Sequence, residues 1–441
     1  MSLSKFKLKL SDSKPDLPST NSSNNNNHNN KAPVDPEDID EVDDQGQSIL
    51  MGIIAQLRPG CDLSRITLPT FILERKSMLE RITNQLQQPN LLLEAHDAKD
   101  EVDRFLKVVK YYLSGWHIAP KAVKKPLNPV LGEFFTSYWD LPNGQQGYYI
   151  AEQTSHHPPK SSYFYMIPES HIRIDGAVIP KSRFLGNSTA AIMNGTTVLQ
   201  FLDILDSNGN PEKYTFTQPN MYARGLFVGK MRIELGDHMI IKCPTNGLSI
   251  DIEFKTKGFI SGTYDAIEGV VKDDKTGKEL YQLTGKWNEV IYIKDLTKGS
   301  SSTKQPFIDV TKTTPLPPKV RDLDTQDPYE SRNLWKHVLT ALGQRNHEVA
   351  TSEKFKIEDE QRVLRHKRAE DGVDFHPRLF KENDDPNLSE LEYVLYKTIP
   401  NDADPETQTK LILESVPIVP GQEFTPEFDI PAFKKLSVGQ D

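Results

Sequence analysis

Two adjacent histidines, His156 and His157, sit in the string EQTSHHPP at 152–159, the densest concentration of potential chemistry in the chain. On an extended strand successive side chains leave opposite faces, so this pair cannot readily chelate one metal as an i,i+4 helical pair does. No metal site is expected. Ser155 beside His156 has the composition of a nucleophile and base, but a triad is a spatial arrangement and no G-x-S-x-G elbow surrounds this serine. Hydrolysis carries little weight, no catalytic residue is assigned, and the chain is not expected to be an enzyme. Two readings of the histidines stand level. Either their ring nitrogens are satisfied within the fold, or they form a donor pair for phosphate oxygens at the rim of a sheet that Pro158 and Pro159 terminate.

Further cations lie elsewhere. The segment KAVKKPLNPVLGEFF (121–135) places Lys124, Lys125 and Asn128 between prolines, just ahead of strand-like sequence. Near the other end, Lys354, Glu358 and Arg362 recur every fourth residue along one helical face. An exposed, salt-bridged helix accounts for that spacing at a few tenths of a kcal/mol per pair. A phosphate clamp accounts for it too, with Glu358 holding Lys354 and Arg362 in position. GLFVGKM (225–231) imitates a phosphate-binding loop, but it is one residue short between its glycines and lacks the Ser or Thr after Lys230. It is expected to be a strand and its turn.

The elements that must position these residues follow from composition and periodicity. The 441 residues carry a formal net charge of -9, so the molecule as a whole is not drawn to nucleic acid or to an anionic membrane. Any phosphate binding must come from a local cluster. Cys61 and Cys243 are too few for a disulfide framework, the first residues lack the apolar core of a signal peptide, and mean hydropathy is -0.56. These features predict a cytoplasmic protein without cofactor that meets membranes peripherally and transiently. Residues 1–46 read as a polar tail ending in an acidic run over 35–44, which is either a solvated linker or a repulsive element against anionic bilayers. QSILMGIIAQL (47–57) has an apolar helical face that suits either a core helix or a flap over a cavity. Helices are predicted over 76–86 and 98–115, strands over about 130–300, then helices over 327–343 and 350–370 in a C-terminal wrap covering 320–441. So many successive antiparallel strands imply a curled or closed sheet, and a barrel of that size leaves a lumen that side chains do not fill.

EQTSHHPP, together with KKPLNPVLGE (124–133), YDAIEG (264–269) and GKWN (285–288), resembles the oxysterol-binding-protein-related family over roughly 47–435. The resemblance implies an α+β fold: a large incomplete antiparallel β-barrel enclosing a lipid tunnel, with an N-terminal lid over 47–75 and flanking helices in a domain spanning 76–441. Phosphoinositide contacts are then implied for Lys125, Asn128, His156, His157, Lys354, Glu358 and Arg362. The stretch LPTFILERKSMLERIT (68–83) is similar to members that carry phosphatidylserine, implying Leu68, Thr70 and Ile72 beside that lipid and Asn128 and Ser182 at its head group. The function implied is exchange of phosphatidylserine for phosphatidylinositol 4-phosphate between endoplasmic reticulum and plasma membrane at their contact sites, by a monomer, with an endoplasmic-reticulum tethering protein as a further partner. Sterol exchange against the same phosphoinositide, or a phosphoinositide-dependent regulator or scaffold, are the alternatives.

Overall fold

The computed structural model describes residues 58–61, 69–118, 124–225, 231–258, 262–424 and 436–437. The tail, the acidic run, the 47–57 helix, Leu68 and residues 226–230 of the GLFVGKM string lie outside the described residues.

A single 3-10 turn over Thr70–Ile72 leads into strand β1 (Leu73–Ser77) and helix α1 (Met78–Arg81), which tightens into a second 3-10 turn over Ile82–Leu86. Helix α2 (Pro89–Asp97) starts on a proline, whose missing N–H is no loss in a first turn. Periodicity does not announce this helix, because only Leu92 and Ala95 besides Pro89 are buried and the apolar stripe is thin. Helix α3 (Glu101–Ser114) begins at the Asp100 cap, whose carboxylate accepts the Asp103 amide at 2.9 Å.

After β2 (Lys125–Leu127), one sheet of fourteen strands accounts for most of the chain. Its strands are β3 (Phe134–Asp140), β4 (Gln146–His156), β5 (Pro159–Ile167), β6 (Ile172–Phe184), β7 (Ser188–Asn194), β8 (Thr197–Leu205) and β9 (Pro211–Phe216). The remainder are β10 (Asn220–Arg224), β11 (Arg232–Cys243), β12 (Leu248–Lys255), β13 (Ala266–Asp273), β14 (Lys278–Lys286), β15 (Val290–Asp295) and β16 (Gln305–Asp309). The pairing is antiparallel throughout, and β7 with β8, and β9 with β10, act as two long strands each broken by a bend. Gly195 makes the first bend. Its φ of 116° and a built Cβ only 2.1 Å from the Ala177 carbonyl oxygen leave no alternative residue without rearrangement.

The sheet curls but does not close. Strands β3 and β16 are its two ends, and the free edge of β3 is covered by chain from beyond the sheet, with Phe134 N–H donating to Tyr329 at 3.1 Å and Tyr138 and Lys319 exchanging bonds at 2.9 and 2.7 Å. That cover removes a hazardous unpaired edge.

Strands β3 to β6 are buried on both faces, which is why β4 shows an almost unbroken run of buried residues. Tyr149, Ala151, Tyr163 and Tyr165 meet α3 on the inward side, whereas Tyr148, Ile150, Phe164 and Met166 meet the wrap through Leu379, Phe380, Leu395 and Ile412. Helix α3 is fastened by a bidentate pair in which Arg104 donates to both Glu212 oxygens at 2.7 and 2.8 Å. Away from that packed end the pattern changes: all five residues of β10 and most of β7 remain partly exposed. The inside there is a tunnel rather than a filled core.

The C-terminal part continues with α4 (Ser331–Leu334), α5 (Lys336–Gly343), α6 (His347–Asp371) and α7 (Pro405–Leu413). Among the described residues no helix is long and apolar enough to cross a membrane.

Candidate functional site

The first basic element is β2. Pro126 and Pro129 hold the chain extended, and β2 pairs in parallel with β1 so that Lys125 lies opposite Leu73. Behind it, fully buried Glu133 accepts from the Val130 amide at 3.0 Å, the Ser331 hydroxyl at 2.7 Å and the Trp335 indole at 2.9 Å. Burial pushes the Glu133 carboxyl up while these donors oppose the rise. The loop bearing Asn128 is thereby pinned to α4, and Asn128 itself stays exposed, its amide without a partner among the described residues. Lys124 is used differently: its ammonium donates to the Phe71 carbonyl at 2.8 Å.

The second element is the end of β4. A register shift between Gln153 and Ser155 breaks the strand's alternation, and the chain reverses through a cis His157–Pro158 bond. The histidine rings therefore do not diverge as a regular strand would have them do. Their centroids lie 4.6 Å apart, edge to face. Ser155 donates its hydroxyl to the Pro158 carbonyl at 2.8 Å and shows no bond to an imidazole. Glu152, earlier on the strand, takes both Arg378 and Leu379 amides at 2.7 Å and the Phe380 amide at 3.2 Å, clamping the wrap beside the histidines. Among the described residues no three His, Cys, Asp or Glu side chains converge as a metal site.

The third element is α6, capped by Asn346, whose side chain accepts the Val349 amide at 3.2 Å. Lys354 and Glu358 form an ion pair on its inner side. Glu358 is also the carboxylate felt by Lys125 and by His156, so it lies among all three. Arg365, which the every-fourth-residue spacing does not single out, is the guanidinium felt by His156. Arg362 is turned aside. It pairs with Asp359 at 3.3 Å and covers the Phe355 ring at 5.4 Å.

The electrostatics are those of an anion site. Three permanent cations, Lys125, Lys354 and Arg365, face one carboxylate, leaving a surplus of two positive charges beside two imidazoles. Among the described residues neither Lys125 nor Arg365 has an ion pair or hydrogen bond. Lost hydration, then Lys354, lowers the Lys125 ammonium from its ordinary value, with Glu358 opposing. Solvent still reaches Lys125, so its charge survives at neutral pH. Burial, then His157 and Arg365, holds the His156 imidazole below the usual histidine range, again against Glu358. Its Nδ1 is buried and without a partner. A phosphate dianion placed there raises that imidazole, so binding takes up a proton and tightens as pH falls from above the bound value toward the free one. Calorimetry at pH 7 in two buffers of different ionisation enthalpy is expected to show proton uptake greater in the wild type than in His156→Ala.

The residues implied for the second lipid separate in space. Ser182 pairs with Ala191, Ala191 with Met221 and Met221 with Leu235, and directly paired residues share a face. Ala191, Met221 and Leu235 pack on the inner core, so Ser182 faces inward. Ile72 is buried. Thr70, expected beside the tunnel, turns its hydroxyl to α6, near the His347 ring at 3.3 Å, the His347 carbonyl at 3.3 Å and the Thr351 hydroxyl at 3.4 Å. The described ends of the lid are thus tied down: Thr70 to α6, and Gly60 and Cys61 to Phe184 at the end of β6 through bonds of 2.6 and 3.1 Å.

A curled, unclosed antiparallel sheet with a partly unfilled interior, helices at one end and an unneutralised cationic cluster on β2, β4 and α6 defines a tunnel-bearing β-barrel of the lipid-binding class. The chain belongs to the oxysterol-binding protein family, whose sequence model matches residues 52–341. It is 65% identical over 393 residues to oxysterol-binding protein homolog 6 of Saccharomyces cerevisiae, covering 89% of this chain and 86% of that relative. Homolog 7 of the same yeast is 66% identical over 394 residues, with 89% of each chain covered. Among solved structures, the Osh1 ORD domain in complex with cholesterol shares the fold with a TM-score of 0.67 at 24% identity, over 85% of this chain and 91% of that one. The Osh3 ORD in complex with PI(4)P, from Saccharomyces cerevisiae, does so with a TM-score of 0.59 at 21% identity, over 82% and 92%.

Proposed function

We propose that this protein is a lipid-transfer protein, not an enzyme, that carries phosphatidylserine in one direction and phosphatidylinositol 4-phosphate in the other, as a monomer. The observation that carries the reading is the cationic cluster. A surplus of two charges at Lys125, Lys354, Arg365 and Glu358 matches a phosphate monoester, which bears about -1.5 to -2 at neutral pH, better than a phosphodiester with its single charge. Two imidazoles and the free Asn128 amide add donors of the kind such oxygens accept. Asn128 and inward-facing Ser182 offer small polar groups to a serine head group, which carries both carboxylate and ammonium.

The tunnel supports the carrier role through the hydrophobic effect. At roughly 0.8 kcal/mol per methylene, leaving two long acyl chains in water costs tens of kcal/mol, so the loaded carrier must diffuse closed. Because Thr70 anchors the lid to the helix that bears Lys354 and Arg365, and Leu73 pairs with Lys125, head-group binding and lid position share the same elements. The two lipids compete for one tunnel, so a phosphoinositide gradient drives the other lipid against its own. Supply and consumption of the two lipids then place the protein in the cytoplasm, at contacts between endoplasmic reticulum and plasma membrane, with a tethering protein there as partner.

The test is transfer of labelled phosphatidylserine between two liposome populations, with and without phosphatidylinositol 4-phosphate in the acceptor, and with a fluorescent sterol in a parallel arm. Acceleration of phosphatidylserine transfer by the phosphoinositide is expected. Sterol transfer with no phosphatidylserine transfer would overturn the assignment of the second lipid.

A further inference from the structure

Helix α6 is a long surface helix in which Ala350 is the buried residue, so its few inward positions have to be read from the graded exposure of the rest. Lys354, Ile357, Glu358, Gln361, Leu364 and Arg368 are the half-buried positions of its second half, and they define the face turned to the protein. With about 100° per residue, Arg365 lies about 20° from Lys354 and between it and Glu358, whereas Arg362 lies about 80° away, at the margin of that face. The spacing 354, 358, 361, 365 is a heptad stripe; 354, 358, 362 drifts off it.

Side-chain contacts agree with the phase. Arg362 is engaged on the outside, with Asp359 at 3.3 Å and the Phe355 ring at 5.4 Å, and Phe355 is itself 56% exposed. Arg365 has no such engagement among the described residues, and its charge reaches His156, whose buried Nδ1 lacks a partner. Glu358 does not neutralise it, being paired with Lys354.

We propose that Arg365 is the principal head-group arginine of this site, binding the same phosphate as His156, while Arg362 serves the outer surface of α6. The inference rests on the phosphoinositide reading and sharpens it: the planar guanidinium offers two parallel N–H donors to one phosphate edge, which an ammonium cannot. Arg365 is exposed and supports no packing, so its replacement does not threaten the fold.

The experiment measures extraction of phosphatidylinositol 4-phosphate from phosphatidylcholine vesicles by the full chain and by Arg365→Ala, Arg365→Lys, Arg362→Ala and the His156→Ala/His157→Ala pair. Each variant is checked for an unchanged thermal midpoint. Arg365→Ala is expected to weaken extraction about tenfold or more, Arg365→Lys to recover only part, and Arg362→Ala to change it less than about threefold. An Arg362→Ala loss equal to or larger than that of Arg365→Ala overturns the proposal. So does an unaffected Arg365→Ala beside a defective histidine pair, which leaves the phosphoinositide reading intact. Absence of extraction by the wild type overturns both.

Discussion

Replacing His156 and His157 together by alanine is expected to remove the acceleration of phosphatidylserine transfer by phosphatidylinositol 4-phosphate, with at least a fiftyfold loss on the order of magnitude of two charge-assisted hydrogen bonds. Slow transfer without the phosphoinositide should remain, because the tunnel wall at Ser182 and the inner core is far along the sheet from the end of β4. The physical basis is the arrangement around Glu358. His156 presents a buried Nδ1 with nothing to bond, and His157 sits 4.6 Å away on a turn open to solvent. Neither ring packs into the apolar core, so removing both costs little stability. A variant that keeps full phosphoinositide stimulation would show that the cationic cluster binds something else.

Glu133 is expected to be the residue whose loss damages the site most without touching a ligand. Glu133→Leu leaves the Val130 amide, the Ser331 hydroxyl and the Trp335 indole without an acceptor in a fully buried place. At about 1–3 kcal/mol for each stranded donor, the expected destabilisation is about 3–6 kcal/mol, read as a fall in the urea midpoint. Glu133→Gln keeps one carbonyl oxygen but turns an NH2 toward the remaining donors, and should cost about half as much. Phosphoinositide extraction should fall in both variants, because the loop between Lys125 and Glu133 loses its tie to α4. A Glu133→Leu protein with an unchanged midpoint would mean that the three bonds do not anchor that loop.

Much of this molecule is legible in its residues alone. Alternation of apolar and polar residues marks most strands of the sheet, and TVLQFLDIL is β8 to the residue, because a strand with one face on a core must keep period two. The SNGN turn also appears where composition puts it, with Asp206 accepting the Asn208 and Asn210 amides at 2.8 Å and Gly209 at a φ of 81°. Residue types suited to phosphate are visible as well. Local chemistry of this kind is written in neighbouring residues.

What tertiary structure alone decided was orientation. Nothing in EQTSHHPP says that a register shift and a chain reversal bring both imidazoles to the same side, since alternation predicts the reverse. The choice between Arg362 and Arg365 depends on which face of α6 meets the protein, and in so polar a helix hydrophobic periodicity does not reveal it. Thr70 turns toward α6 for a similar reason: its partners, His347 and Thr351, are 277 and 281 residues away along the chain. Glu133, Glu152 and Arg104 read as ordinary charged residues until burial makes their bonds obligatory, because an unpaired charge in a core costs far more than one in water. The residue types capable of binding a phosphate are a property of the sequence, whereas their convergence on one point, with a net charge of two left over, exists only once β2, β4 and α6 are packed together.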